Sequence, residues 1–264
     1  MKKLFSILLC LALTLCAAAL AEGGSVVGQR APDFSVTTCD GEALSIYELL
    51  EEKDLVVLNV FTSWCPPCRM EFPDMQSVYE ALSDRIEIVA VSGEPDDTDE
   101  IIADYRDELG LTFPMGLDAN LEVSRFLNLE GYPTTVMIDK SGNIGFMQVG
   151  MFMSAASFQN TVEYFLGDDY DGTPAGAFNV YVCDQDEHPV PGATISFCTD
   201  ETCLPLVTDD SGIISFAAKP ETYHLQVLKL PEGCSIEDGF EAECTGDGEW
   251  VIVQVQRDPG CICD

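Results

Sequence analysis

The feature that most constrains the fold is a pair of cysteines, Cys65 and Cys68, that stands between a strand pattern and a helix pattern. Before the pair, Leu55–Phe61 is a short, almost continuous apolar run, which is typical of a strand buried on both faces. After it, Pro66–Leu82 carries apolar side chains three or four residues apart, which predicts a helix. The pair is therefore expected where a buried strand ends and a helix begins.

That position favours redox chemistry at the first cysteine. At a helix N-terminus, Cys65 meets the positive end of the helix dipole and unpaired N–H groups, and both favour the reactive thiolate. Cys68, one turn later, can attack a disulfide that Cys65 has formed with another protein. Pro66 and Pro67 donate no N–H between them and restrict the loop.

The spacing by itself also allows a structural disulfide or half of a zinc site. Zinc needs a second cysteine pair or nearby histidines, but His188 and His224 are the histidines of this chain and both lie far from the pair. A c-type haem attachment needs histidine where Arg69 stands. We therefore expect no metal and no cofactor beyond the redox-active disulfide.

The N-terminus predicts export. Lys2 and Lys3 precede an apolar stretch that ends in a small-x-small pattern at Ala19 and Ala21, so residues 1–21 resemble a signal peptide. An uncleaved membrane anchor is the alternative. Either outcome predicts an extracytoplasmic protein, secreted or membrane-associated. Ten of the 12 cysteines lie beyond this segment, and such a count in an exported chain favours disulfides.

The charge balance excludes one class of partner. The chain has 12 Lys and Arg against 46 Asp and Glu, a formal net charge of -34. Such a field repels phosphate backbones, so nucleic acid is not an expected partner.

Two regions of different periodicity follow. Residues 22–167 alternate strand-like and helical segments, which predicts an α/β domain whose mixed sheet has helices on both faces. Residues 168–176 are acidic and contain Gly and Pro, as expected of a linker. Residues 177–257 show short strand patterns between turn residues, which predicts a small all-β sandwich. A Cys-x-Cys tail, residues 258–264, ends the chain.

Four motifs in the first region resemble the TlpA/ResA group of exported thioredoxin-fold proteins. They are Gly28-x-x-Ala31-Pro32-Asp33-Phe34, the segment from Asn59 to Pro73 with Trp64-Cys65-Pro66-Pro67-Cys68, Leu111-Thr112-Phe113-Pro114, and Gly131-Tyr132-Pro133-Thr134-Thr135. The resemblance implies a thioredoxin fold and a thiol-disulfide oxidoreductase. The implied partners are disulfide-bearing exported proteins and a membrane electron donor, with cytochrome c maturation as one setting.

The same resemblance assigns roles to individual residues. It implies that Cys65 is the attacking thiol and Cys68 the resolving one. It also implies that Pro133 is a cis-proline facing the disulfide, with Tyr132 offering hydrogen bonds to a bound substrate chain. Trp64 is expected to shield the pair and, with the two intervening prolines, to shape the docking surface.

Glu71 matches a glutamate that the ResA group places beside its cysteines. A partly buried carboxylate there could relay protons and raise the thiol pKa values. A solvated helix residue is the alternative for Glu71. Thioredoxin keeps a buried aspartate six residues before its first cysteine, and this chain has Asn59 at that place.

Two other functions remain open. A peroxiredoxin-like peroxidase shares the fold and the opening motif, but peroxiredoxins need a proline where this chain has Leu58, and they lack the equivalent of Cys68. The second alternative is a non-enzymatic cell-surface binding module in which the cysteine pair is a structural bridge.

The second region resembles prealbumin-like sandwiches of the Cna-B and carboxypeptidase-regulatory type. The motifs that carry this resemblance are Pro189-Val190-Pro191-Gly192-Ala193-Thr194-Ile195 and Thr208-Asp209-Asp210-Ser211-Gly212-Ile213-Ile214-Ser215-Phe216. They assign no chemistry to this region.

The remaining cysteines predict structural bridges. Cys198 and Cys203 flank one short loop and Cys234 and Cys244 flank another, and we expect local pairing in both. In the tail, Cys261 and Cys263 are either ends of structural bridges or an auxiliary redox pair. No partner is predicted for Cys39 or Cys183.

Overall fold

The first part of the chain is built on one five-stranded sheet, whose strands lie side by side in the order Met115–Leu117, Ile86–Ser92, Leu55–Phe61, Thr134–Asp139 and Ile144–Val149. A computed structural model of the protein describes residues 25–236 and 240–258. The sheet strands are β3 (Leu55–Phe61), β4 (Ile86–Ser92), β5 (Met115–Leu117), β6 (Thr134–Asp139) and β7 (Ile144–Val149). Central β3 is parallel to β4 and antiparallel to β6, so the sheet is mixed, as the element order predicts.

Two predicted segments, the signal peptide of residues 1–21 and the tail cysteines Cys261 and Cys263, lie outside the described residues. Within the described part of the chain, no helix is both long and apolar enough to cross a bilayer.

Strand β3 is buried along its whole length and separates two apolar clusters. Its side chains alternate between them: Leu55, Val57 and Phe61 pack in the first cluster, and Val56, Leu58 and Val60 in the second. The same alternation turns Asn59 toward the first cluster. A polar amide is thereby placed inside an apolar layer.

Five helices cover the two faces of the sheet. They are α1 (Ile46–Glu52), α2 (Pro66–Leu82), α3 (Asp99–Leu109), α4 (Glu122–Phe126) and α5 (Ala155–Leu166). Helices α2, α3 and α5 bury Phe72, Ile102 and Phe158 in the first cluster, and α1 and α4 bury Ile46 and Val123 in the second. The predicted arrangement of helices on both faces is confirmed.

Helices α3 and α5 each begin at a side-chain cap. The side chain of Thr98 accepts the N–H of Ile101 at the start of α3, and that of Ser154 accepts the N–H of Ser157 at the start of α5. Each cap satisfies an N–H group that has no partner inside its helix. Two short strands, β1 (Ser35–Thr37) and β2 (Ala43–Ser45), form a separate antiparallel pair.

The described residues from 176 onward form strands and turns. One sheet contains β11 (Ile213–Ala218), β8 (Gly176–Cys183) and β15 (Asp247–Gln254). The other contains β10 (Cys203–Val207), β9 (Thr194–Cys198), β12 (Tyr223–Lys229) and β14 (Ala242–Cys244), and β13 (Cys234–Ser235) pairs with β16 (Gln256–Arg257). Phe178 and Phe216 from the first sheet meet Phe197 and Tyr223 from the second in one core. This part is therefore a β domain, whose prealbumin-like type stays a prediction.

Helix α5 lies between the two parts. Tyr164 packs against the cores of both, and Ala217 of β11 is buried in the first cluster. Tyr170, in the predicted linker, donates to Asp139 Oδ2 at 2.8 Å and packs against the ring of Phe165. The segment between the domains is thus packed against the first one.

Candidate active site

Cys65 and Cys68 form a disulfide at the start of α2, directly after the central strand. Cys65 is the N-cap residue of the helix, and its sulfur accepts the N–H of Cys68 at 3.3 Å. Cys65 is 4% exposed and Cys68 is fully buried. An incoming sulfur can therefore reach only the Cys65 side of the bridge, and the two prolines occupy the first helical positions, where no N–H is needed.

The loop before the disulfide is held by Asp97, a buried residue that sequence reasoning missed. Its carboxylate accepts the N–H of Ser63 at 3.1 Å and the hydroxyl of Ser63 at 2.5 Å. It also accepts the hydroxyl of Ser92, at the end of β4, at 2.5 Å. Asp97 thus joins the loop that carries Cys65 to the neighbouring strand. The sequence offers no signal for this, because Asp97 lies in an acidic stretch that reads as solvated surface.

Trp64 forms an exposed rim beside the disulfide. Its side chain is 62% exposed, its Nε1 donates to Glu94 Oε2 at 2.6 Å, and its ring meets the edge of Tyr132 at 6.1 Å. The Tyr132 hydroxyl donates to the carbonyl of Gly93 at 3.2 Å. A Cβ at Gly93 would lie 2.8 Å from that hydroxyl, so a larger residue there would push the Tyr132 side chain aside.

The Tyr132–Pro133 peptide bond is cis, as the resemblance implies. In the ladder between β3 and β6, Val60 is opposite Thr134, so Pro133 lies next to the end of β3 from which the disulfide loop departs. The structure therefore brings together the predicted site residues Trp64, Tyr132 and Pro133 with the cysteine pair.

Glu71 lies one helical turn after Cys68 and is completely buried. Its Oε1 accepts from Asn59 Nδ2 at 2.9 Å, and its Oε2 accepts from the N–H of Phe152 at 3.0 Å. Burial raises the pKa of Glu71 to about 8, because desolvation of the carboxylate outweighs the two hydrogen bonds that favour the charged form. The group can therefore take up or release a proton near neutral pH.

The second domain contains one of the two predicted bridges. Cys198 and Cys203 are disulfide-bonded at the hairpin of β9 and β10. The predicted bridge between Cys234 and Cys244 is wrong, since both are free thiols in the structure. Cys234 lies on β13, which pairs with β16, whereas Cys244 lies on β14, next to β12. The two residues flank one loop in sequence but belong to different sheets.

Asp184, Asp186 and His188 form the one group of possible metal ligands in the described part of the chain. Asp184 already accepts the N–H groups of Asp186 and His188 at 2.9 and 3.0 Å, and it pairs with Arg257 at 3.3 Å. These bonds are those of a tight turn, and the group belongs to the second domain rather than to the disulfide site.

Comparison with known proteins identifies the family. The AhpC/TSA family profile matches residues 27–147. Thioredoxin-like protein YneN of Bacillus subtilis is 35% identical over 130 residues, which are 49% of this chain and 75% of YneN. Thiol-disulfide oxidoreductase ResA of Oceanobacillus iheyensis is 39% identical over 122 residues, which are 45% of this chain and 62% of that protein. The crystal structure of StoA from Bacillus subtilis matches 48% of this chain and 92% of its own at 31% identity, with a TM-score of 0.41. The chain therefore belongs to the ResA/YneN-like thiol-disulfide oxidoreductases and contains a thioredoxin-like AhpC/TSA domain.

Proposed function

We propose that the protein reduces disulfides of exported proteins through Cys65 and Cys68, with Glu71 as the proton acceptor for Cys68. The observation that carries this proposal is the asymmetry of the bridge: Cys65 keeps a small exposed fraction of 4% whereas Cys68 has none, and the buried carboxyl of Glu71 lies one turn beyond Cys68.

The reaction starts from the reduced pair. The Cys65 thiolate attacks a substrate disulfide, forms a Cys65–substrate bond and releases one substrate thiolate. Cys68 then gives its proton to Glu71 and attacks the Cys65 sulfur, which closes the Cys65–Cys68 bridge and releases the second substrate thiolate. Two electrons pass from the protein to the substrate, and the released substrate thiolates take protons from solvent. When the bridge is reduced again, the proton on Glu71 returns to the Cys68 sulfur. A membrane electron donor outside the cytoplasm supplies that reduction.

A substrate trap tests the exchange step. Cys68→Ala should accumulate proteins linked to Cys65, which mass spectrometry identifies after non-reducing electrophoresis. Cys65→Ala/Cys68→Ala is the matched control and should trap none. Absence of linked proteins from Cys68→Ala would instead support the binding module with a structural bridge.

The direction of electron flow is tested separately by the reduction potential of the pair. A value near the roughly -270 mV of thioredoxin supports a reductant, and one near about -120 mV indicates an oxidant. Peroxide consumption by Cys68→Ala at the rate of the unmodified protein would favour a peroxidase.

A further inference from the structure

Asn59 is a fully buried amide in the middle of the central strand. Its Nδ2 donates to Glu71 Oε1 and to Thr135 Oγ1, each at 2.9 Å. Its Oδ1 is buried and has no hydrogen-bond partner among the residues that the structure describes. Buried polar atoms are almost always paired, and this oxygen is an exception. The orientation of the amide is therefore set by the hydrogen bonds that its nitrogen donates.

Thr135 supplies one of those two bonds from the neighbouring strand. Asn59 and Thr135 are directly opposite each other in the ladder of β3 and β6, so their side chains lie on the same face. Thr135 is also two residues after Pro133, at the end of β6 that lies beside the disulfide loop. A row of three polar side chains thus runs from β6 through β3 to Glu71 on α2.

We propose that Asn59 and Thr135 are positioning residues for Glu71: the Thr135 hydroxyl holds the Asn59 amide so that its nitrogen donates to Glu71, which keeps the carboxylate form accessible inside the apolar cluster. The inference rests on the proposed role of Glu71 as proton acceptor for Cys68. It adds that the acceptor depends on a side-chain donor from the central strand, in addition to the backbone N–H of Phe152.

The other groups around Glu71 cannot replace this donor. Asp74 on the same helix is acidic and raises the pKa of Glu71 further. Tyr105 faces it from α3, and its own pKa is raised to about 12, mainly by burial. Arg69 lies over the Tyr105 ring and forms an ion pair with Glu108. The redox cysteines titrate only when reduced, so in the oxidised protein the amide is the side chain that favours the charged carboxyl.

The test is a carboxyl-carbon NMR titration of Glu71 in the full-length, oxidised protein labelled at glutamate. Glu71→Gln assigns the signal by its loss. Asn59→Leu removes the donor at similar volume and should raise the titration midpoint by about one to two pH units, as expected for one hydrogen bond to a charged group. Thr135→Val should raise it by a smaller amount, and the matched control Thr135→Ser, which keeps the hydroxyl, should restore the original midpoint.

Two results would overturn the proposal. A lower midpoint in Asn59→Leu would mean that the amide oxygen faces Glu71, and an unchanged midpoint would mean that the amide does not act on it. If Asn59→Leu does not fold, the titration midpoint of Glu71 is compared between Thr135→Val and Thr135→Ser. A midpoint that is the same in these two variants would also overturn the proposal. Failure of the proposed function gives a different result: Glu71→Gln then leaves the pH profile of disulfide exchange unaltered, whatever the NMR midpoints show.

Discussion

Glu71 and Phe152 are hydrogen-bonded across 81 residues of sequence, with the Phe152 N–H donating to Glu71 Oε2 at 3.0 Å. This bond ties the segment before α5 to the active-site helix. Phe152 itself is buried against Phe158, so the segment covers the carboxyl and excludes water from it. The raised pKa of Glu71 is therefore a consequence of tertiary packing, because the helix alone would leave the side chain hydrated.

The first prediction concerns the pH profile of exchange. As the pH approaches about 8, Glu71 becomes a carboxylate that can accept the Cys68 proton. Glu71→Gln should slow closure of the Cys65–Cys68 bridge at pH 8 by about 10²-fold, the lower range for a general base. Stopped-flow kinetics with a model protein disulfide measures this. Glu80→Gln, an exposed position on the same helix, is the control, and equal rates for the two variants would contradict the relay.

The second prediction is a pH dependence of stability. An unfolded glutamate has a pKa of about 4.3, below the folded-state value of about 8. Below pH 4 both states hold the proton and the full stability is present. Between these two values the unfolded chain releases its proton while the folded protein keeps it, so stability falls as the pH rises toward 8.

This loss should be on the order of 4 kcal/mol in the free energy of unfolding, and Glu71→Gln should lack it. Denaturant unfolding of the oxidised protein at pH 4, 6 and 8 measures the difference. If the free energy of unfolding changes with pH in the same way in Glu71→Gln and in the unmodified protein, Glu71 has an ordinary pKa and the prediction is wrong.

The third prediction concerns the loop that carries Cys65. Asp97→Asn removes the charge that anchors Ser63 and Ser92, so it should lower the free energy of unfolding by about 1–3 kcal/mol and slow exchange at Cys65. Asp96→Asn is the matched control, because Asp96 is exposed and its carboxylate accepts no hydrogen bond from the residues that the structure describes, while its backbone N–H donates to Glu94. An equal effect of both changes would indicate general surface charge rather than anchoring.

The fourth prediction concerns the second domain. Replacing both Cys198 and Cys203 by serine should destabilise the β domain by about 2 kcal/mol, the loop-closure value for so short a loop. Exchange at Cys65 should be retained. The same replacement at Cys234 and Cys244 removes no bridge, so peptide mapping of the unreduced protein should show no link between them, and finding one would contradict the structure.

Strong periodicity made much of the fold predictable. Helix Pro66–Leu82 and strand Leu55–Phe61 have the same bounds in the sequence pattern and in the structure. Strand β10 was not predicted, because Pro205 lies within it and its residues are mostly exposed, so no inward-facing pattern exists. Helix α1 was missed as well, since it is short and rich in glutamate.

The active site was predictable only where its residues are close in sequence. Trp64, Cys65, Cys68 and Glu71 lie on one strand–helix junction, so local pattern and resemblance found them. Asn59 was visible only as a departure from the thioredoxin aspartate. The contacts of Glu71 with the Phe152 N–H, and of Ser63 with Asp97, depend on how distant segments pack, which no spacing in the chain reveals.

The sequence by itself determined the redox pair, its place at a helix N-terminus and the family, because these depend on neighbouring residues and on local backbone preference. Tertiary structure decided which cysteine is accessible, how deeply Glu71 is buried and which thiols of the second domain are bonded. Burial and hydrogen bonding set the free energy of a charge, and both arise only when strands and helices far apart in the chain come together.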